Sequence, residues 1–179
     1  MSRDCYIFTG GQVFADTLDT LGIAISENAL VIAADSGYLA AKRFGVKCDM
    51  LLGDLDSLDK TSLDEGELDE LEKIIVSPIK DDTDTQLAVD TAIERGAENI
   101  YIIGGLGGRL DHTLSSVFLL EYIEEKGVSC VMTDGRNRVR LMCADKKTAQ
   151  PLIVERAYKY LSLVALTDTC RGVSISGVY

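Results

Sequence analysis

The 179-residue sequence holds a single histidine, His112. That leaves almost no room for a zinc site built on histidines. A Ser-His-Asp triad would have to use His112, and its neighbour Asp111 cannot face it from a helix. The five cysteines (Cys5, Cys48, Cys130, Cys143, Cys170) are scattered and form no CxxC pair. An odd, dispersed set reads as reduced and mostly buried thiols, not as a disulfide framework or a redox motif. No apolar run reaches the roughly 18 residues that a membrane span requires. The opening residues, MSRDCYIFTGG, carry too short an apolar stretch for a secretory signal and lack a cleavage site. A cytoplasmic protein is expected. Basic residues are outnumbered, 18 Lys and Arg against 29 Asp and Glu, for a net charge of −11. That excludes nucleic acid as a bulk partner, because the phosphate backbone demands a basic surface. It does not exclude a nucleotide, since a bound metal inverts the local field.

What is present suits a folded α/β protein. Apolar residues make up 46% of the chain, enough for a real core in one domain, or in one domain with a small second one. Strands are expected at 5–10 (CYIFTG), 29–35 (ALVIAAD), 48–54 (CDMLLGD), 73–78 (KIIVSP), 99–105 (NIYIIGG) and 128–135 (VSCVMTDG). Helices are expected at 36–45, ending at Gly45, at 62–73, at 81–96 and at 111–127. Thr83 with Gln86 matches a capping box at the start of the third. Leu114, Val117, Phe118 and Tyr122 form the apolar face expected of the fourth. This alternation indicates a Rossmann-like parallel sheet with helices on both faces.

After about residue 135 the pattern changes. RVRLMC (138–143), PLIVER (151–156), KYLSLVAL (159–166) and GVSISGVY (172–179) are strand-like and separated by short turns. The expected division is an α/β domain over 1–134 and a smaller all-β, sandwich-type unit over 135–179. About 45 residues are too few for an independent sandwich, so this unit reads as incomplete at its C-terminus.

The chemistry gathers where the strands end. The stretch LLGDLDSLD (51–59) runs an apolar strand straight into Asp54, Asp56 and Asp59. Acids this crowded repel one another, so water solvates them or a cation sits between them. Asp35 ends the second strand. Lys80, Asp81, Asp82 and Asp84 follow the fourth, and GGLGGRLD, with Arg109 and Asp111, follows the fifth. Open parallel sheets bind ligands outside the carboxyl ends of their strands. One rim so rich in carboxylates is expected to hold a hard cation, Mg²⁺ first among them. The glycines of GGLGGR let backbone N–H groups approach an anion, and Arg109 offers a forked donor for phosphate oxygens. Together these are the equipment of phosphoryl chemistry. Taken singly, each has a plainer reading. Asp-x-Asp recurs by chance, DDTD suits an acidic first helical turn, GGLGG is not a Walker A sequence, Asp35 could be a helix N-cap, and His112 suits a structural place at a helix start.

The set ADSG (34–37), GDLDS (53–57), KDDTDTQLA (80–88) and GGLGGRLDHTLSS (104–116), in this order and spacing, resembles the thiamine pyrophosphokinase family. The later YKYLSLVAL and GVSISGVY resemble strands of that family's β domain. The resemblance implies transfer of pyrophosphate from ATP to the hydroxyl of thiamine, giving thiamine diphosphate and AMP. It implies a homodimer whose active sites form between the α/β domain of one subunit and the β domain of the other. Asp54, Asp56 and Asp84 match the family's Mg²⁺ ligands, and with Arg109 and Asp111 they are the implied catalytic set. Asp35, Lys80, Asp81, Thr83, Gly105, Gly107, Gly108 and Arg109 fall in segments that bind the nucleotide. Family members continue past the equivalent of GVY with further strands and a Ser-Asn-Glu-type segment that helps hold thiamine, so the acceptor pocket is expected to be only partly present. Two alternatives stay open. MLLGDLDSL also resembles the start of aspartate-nucleophile phosphatases, although that motif follows a first strand and continues with Thr or Val where this chain has Leu58. A nucleotide- or Mg²⁺-sensing module without catalysis is the other.

Overall fold

A computed structural model describes residues 3–53, 71–75, 83–143 and 158–177. Two compact units divide the chain, at 1–149 and 150–179.

The first unit is built on one seven-stranded sheet. The strands are β1 (Asp4–Phe8), β2 (Leu30–Ala34), β3 (Met50–Gly53), β4 (Glu72–Ile75), β5 (Asn99–Ile103), β6 (Ser129–Thr133) and β7 (Arg138–Val139). Their spatial order is β4-β3-β2-β1-β5-β6-β7. Every pair is parallel except β6 with β7. The chain runs outward from β1 to β4, then returns to β5 on the other side of β1. The strand order therefore reverses between β1 and β5, where open α/β sheets form their binding crevice.

Four helices are described: α1 (Leu18–Leu21), α2 (Gly37–Arg43), α3 (Asp84–Glu94) and α4 (Leu110–Glu125). They cover both sheet faces, which is why the strands are apolar at nearly every position. Cys5, Ile7, Ile32, Leu52, Ile100 and Ile102 point to one face and pack with Val89 of α3 and Leu120 and Ile123 of α4. Their sequence neighbours Tyr6, Phe8, Val31, Leu51 and Ile103 point to the other, against Leu21 of α1 and Tyr38 and Ala41 of α2. The period-two alternation of a strand thus serves two cores at once. On the second face Tyr6 stacks on Tyr101 with ring centroids 4.7 Å apart, and its hydroxyl donates to the Ala24 carbonyl at 2.9 Å. No helix among the described residues is long and apolar enough to cross a membrane.

Several expectations change on inspection. The apolar face of α4 is not the one the spacing suggested. Ser116, Leu119, Leu120 and Ile123 are buried, while Leu114 and Phe118 are 48% and 63% exposed. The helix is apolar on more than one side, so periodicity alone could not choose the face that meets the sheet. The 138–143 strand shortens to β7 and joins the main sheet beside β6. In the second unit, residues 158–177 carry no strand and are almost wholly exposed, against the strands expected at 159–166 and 172–179. A strand-like pattern is a local signal, and a ladder needs a partner edge as well. The expected strand at 151–156 and most of the helix expected at 62–73 lie outside the described residues.

Candidate active site at the carboxyl ends of the strands

The loops leaving β1, β2 and β5 meet at one rim, beside the end of β3, and glycine makes the meeting possible. A Cβ on Gly11, after β1, would lie 1.9 Å from the Gly104 carbonyl oxygen, after β5. Thr9 bridges the same two strands: its N–H and its hydroxyl both donate to the Ile103 carbonyl, at 2.9 and 3.2 Å. A Cβ on Gly37 would lie 2.1 Å from the Phe8 carbonyl, so the start of α2 sits directly on the end of β1. A Cβ on Gly10 would meet the Ser36 hydroxyl. The contacts of Gly11 and Gly37 are with main chain and leave no room for a side chain, so these two glycines weld the β1, β2 and β5 loops into one floor.

Asp35 stands at the end of β2 and is the one described non-glycine residue with positive φ, at 51°. Asp tolerates this left-handed conformation better than most residues. The Asp35 N–H donates to the Leu52 carbonyl at 2.7 Å. Its Cα lies 3.3 Å from the place a Cβ on Gly53 would take, and Gly53 itself has φ of 140°. The end of β3 therefore arrives against Asp35. Asp54 and Asp56, next in sequence, lie outside the described residues, as do Lys80 and Asp81.

Thr83 and Asp84 open α3. The Thr83 hydroxyl accepts the Gln86 N–H at 3.1 Å, the N-cap bond the sequence suggested. The reciprocal half of the capping box is absent here, because the Gln86 side chain donates to Asp90 at 3.2 Å instead. Asp90 also accepts the Tyr122 hydroxyl at 2.7 Å, tying α3 to α4. Asp84 sits in the first helical turn, where the helix dipole favours a carboxylate.

The loop after β5 carries the remaining groups. Gly105 is buried against Ile102 and Met132, while Gly107 and Gly108 are exposed with φ of 82° and 71°. Arg109 is the N-cap residue of α4 and Asp111 lies in its first turn. The two form a forked ion pair: Nε to Oδ1 at 3.2 Å and one terminal nitrogen to Oδ2 at 2.6 Å. The Arg109 hydrogen bond holds the Asp111 carboxyl below its usual range, and Asp111 in turn raises the guanidinium. The Thr113 hydroxyl donates to the Gly107 and Arg109 carbonyls at 3.1 and 3.2 Å, which pins the loop to the helix. His112 is exposed beside this pair.

Sequence reading missed Thr9, Gly10, Gly11, Ser36 and Thr113. The TGG after the first strand was legible as a turn. Its contact with a loop nearly a hundred residues away was not, because nothing local encodes it. Among the described residues no three His, Cys, Asp or Glu side chains cluster as a metal site. Two of the three expected ligands lie outside those residues, and the donor set of Asp54, Asp56 and Asp84 is all carboxylate oxygen, which suits Mg²⁺.

Comparison with known proteins places this architecture. A family model described as thiamin pyrophosphokinase, catalytic domain, matches residues 22–132, more than half of the chain. Thiamine pyrophosphokinase of Bacillus subtilis is 25% identical over 156 residues, covering 84% of this chain and 69% of that protein. Thiamin pyrophosphokinase 1 of Caenorhabditis elegans is 31% identical over 96 residues, covering 50% and 37%. The crystal structure of the B. subtilis protein superposes with a TM-score of 0.62 at 26% identity, over 77% of this chain and 63% of that one. A thiamin pyrophosphokinase family protein from Enterococcus faecalis gives 0.58 at 28% identity, over 76% and 63%. The matched segment contains the β2, β3, β5 and α4 ends that build the rim, and the chain belongs to the thiamin pyrophosphokinase family.

Proposed function

We propose that this chain transfers pyrophosphate from ATP to the hydroxyl of thiamine, releasing AMP. Family membership supports this reading, and so does one observation above all. The loop that carries Gly107, Gly108 and Arg109 is fused to the β1 and β2 loops at the strand-order reversal, on the rim where Asp35 and the end of β3 also meet. In this reading phosphate-binding groups and carboxylates share one crevice.

In this reading Arg109 and the N–H groups of the Gly107–Gly108 turn hold the phosphate chain, and the N-terminus of α4 adds positive dipole. Asp54, Asp56 and Asp84 would hold Mg²⁺, which when bound offsets charge on the transferring phosphates. Asp35 orients the nucleotide, and Lys80, Asp81 and Thr83 would contribute to binding it. The floor welded by Gly11 and Gly104 keeps these groups at fixed separations, and positioning supplies much of the rate in phosphoryl transfer. The hydroxyl attacks the β-phosphorus in line and AMP leaves.

The second unit, residues 150–179, belongs in the same reading to a β domain that serves the acceptor and completes itself against a second subunit in a homodimer, while 135–149, expected with it, go with the first unit. The exposed Tyr160, Leu163, Val164, Val173 and Ile175 support this, because a group of exposed apolar side chains calls for cover. The cytoplasm is the proposed setting, in keeping with five free cysteines. The test is product identification by chromatography. ATP, Mg²⁺ and thiamine should yield thiamine diphosphate and AMP. Inorganic phosphate as the main product, or phosphate trapped covalently on Asp54, would favour the phosphatase reading instead.

A further inference from the structure

We propose that Asp111 is a positioning residue that occupies the Arg109 fork in the resting protein and yields it to a phosphate group of the incoming nucleotide. The inference rests on the transferase reading and concerns how its anion grip is kept ready.

Three observations carry it. First, the pairing is two-pronged, through Nε at 3.2 Å and a terminal nitrogen at 2.6 Å, the same face of the guanidinium that grips a phosphate bidentately. Asp111 therefore stands where two phosphate oxygens would sit. Second, both side chains are largely exposed, at 73% and 63%. An ion pair in water contributes little, so exchange for a more highly charged phosphate costs little. Third, the backbone that bears Arg109 is held still. The Thr113 hydroxyl and N–H both bond the Arg109 carbonyl, at 3.2 and 3.1 Å, and the hydroxyl also bonds the Gly107 carbonyl. The exchange is then a side-chain event on a fixed loop.

The arrangement has two consequences. Asp111 holds the planar fork in the orientation that bidentate binding requires, so less rotamer freedom is lost on binding. It also competes with the ligand. Apparent affinity falls by the fraction of arginine left free, so removing the competitor raises it. A carboxylate that merely repels an anion through its field would raise affinity on removal too, and the difference between the two lies in whether Arg109 is needed.

The experiment is a double-mutant cycle read by calorimetric titration of ATP, without thiamine, into wild type, Asp111→Asn, Arg109→Gln and the double variant. Exchange predicts that Asp111→Asn tightens ATP by about threefold or more in the wild-type background and leaves affinity nearly unchanged in the Arg109→Gln background. An equal gain in both backgrounds, or no gain in either, overturns it. The Arg109 Nε–H resonance, assigned by its loss in Arg109→Gln, gives a readout independent of affinity. It should move toward the free-arginine position in Asp111→Asn and away from its resting position when ATP binds to wild type. If none of the four proteins binds ATP with Mg²⁺ present, the transferase reading fails. If ATP binds without the arginine-dependent gain, only the exchange fails.

Discussion

Gly11 and Gly104 touch backbone to backbone: a single added carbon on Gly11 would overlap the Gly104 carbonyl oxygen at 1.9 Å. The obstacle is main chain, so no side-chain rotation relieves it. Gly11→Ala should therefore push the β1 and β5 loops apart and lower stability by roughly 1–3 kcal/mol, the cost of overpacking a filled site. Gly45→Ala is the control. Gly45 has φ of 68° but open space around its Cβ position, so only the left-handed backbone penalty of about 1–2 kcal/mol applies. Urea unfolding gives both values. Turnover separates the two further: Gly11→Ala should lose activity even where it stays folded, while Gly45→Ala should keep it.

The carboxylates should matter to rate and hardly to folding. Asp54→Asn, Asp56→Asn and Asp84→Asn each remove one expected ligand oxygen and should lower turnover by orders of magnitude at limiting Mg²⁺. Neutralising one acid in a repulsive cluster should leave the unfolding midpoint unchanged or higher. Near-native turnover in all three would return these residues to the status of a solvated acidic rim. For Asp84→Asn a small helix-dipole loss is also expected, since the carboxylate sits in the first turn of α3.

Arg109→Lys keeps the charge and loses the fork. The kcat/KM for ATP should fall at least about tenfold, because a lysine ammonium cannot bind two phosphate oxygens in one plane. Steady-state kinetics over a range of ATP concentrations measure it. An unchanged value would remove Arg109 from the phosphate grip.

The buried thiols set an alkaline limit. Burial pushes Cys5, Cys48 and Cys130 up from 9.0 to about 12, with the Asp49 charge adding to the effect at Cys5 and Cys48. In the unfolded chain these thiols ionise near 9, whereas the folded chain keeps its protons. Between pH 9 and about 12 the folded state holds more protons, so stability is intact below 9 and falls as pH rises, by about 1.4 kcal/mol per unit for each thiol. Unfolding midpoints at pH 8 and pH 10.5 should show the loss, and Cys130→Ala should make the slope shallower. At pH 8 an alkylating reagent should label the exposed Cys143 and Cys170 and spare the other three. A stability flat across this range would contradict the assignment.

The sheet was legible because its signals are local. Each of the six parallel strands is a short apolar run closed by Gly, Asp or Pro, and α3 opens at the Thr83 cap that the Thr-x-x-Gln spacing marked. The rim residues were legible by the same kind of signal: Asp35 directly follows β2, and Arg109 and Asp111 stand at the cap and first turn of the helix that follows β5. What escaped was contact between distant segments. Thr9 and Gly11 read as an ordinary turn until β5 is set beside β1, and Thr113 reads as helix interior until its hydroxyl is seen on the Gly107 carbonyl. The inner face of α4 escaped because Leu110, Leu114 and Phe118 are as apolar as the residues that pack, yet are 71%, 48% and 63% exposed. The strands expected in 159–166 and 172–179 find no counterpart in 158–177, because pairing is decided by a partner edge and not by the pattern of the strand itself.

The central claim is that the rim moves a pyrophosphoryl group to thiamine, and the most direct measurement is AMP release from ATP and Mg²⁺ with and without thiamine. The account predicts AMP only when thiamine is present, one AMP for each thiamine diphosphate formed, and no ADP. AMP formed at the same rate without thiamine, or none formed with it while ATP binds, would contradict the account.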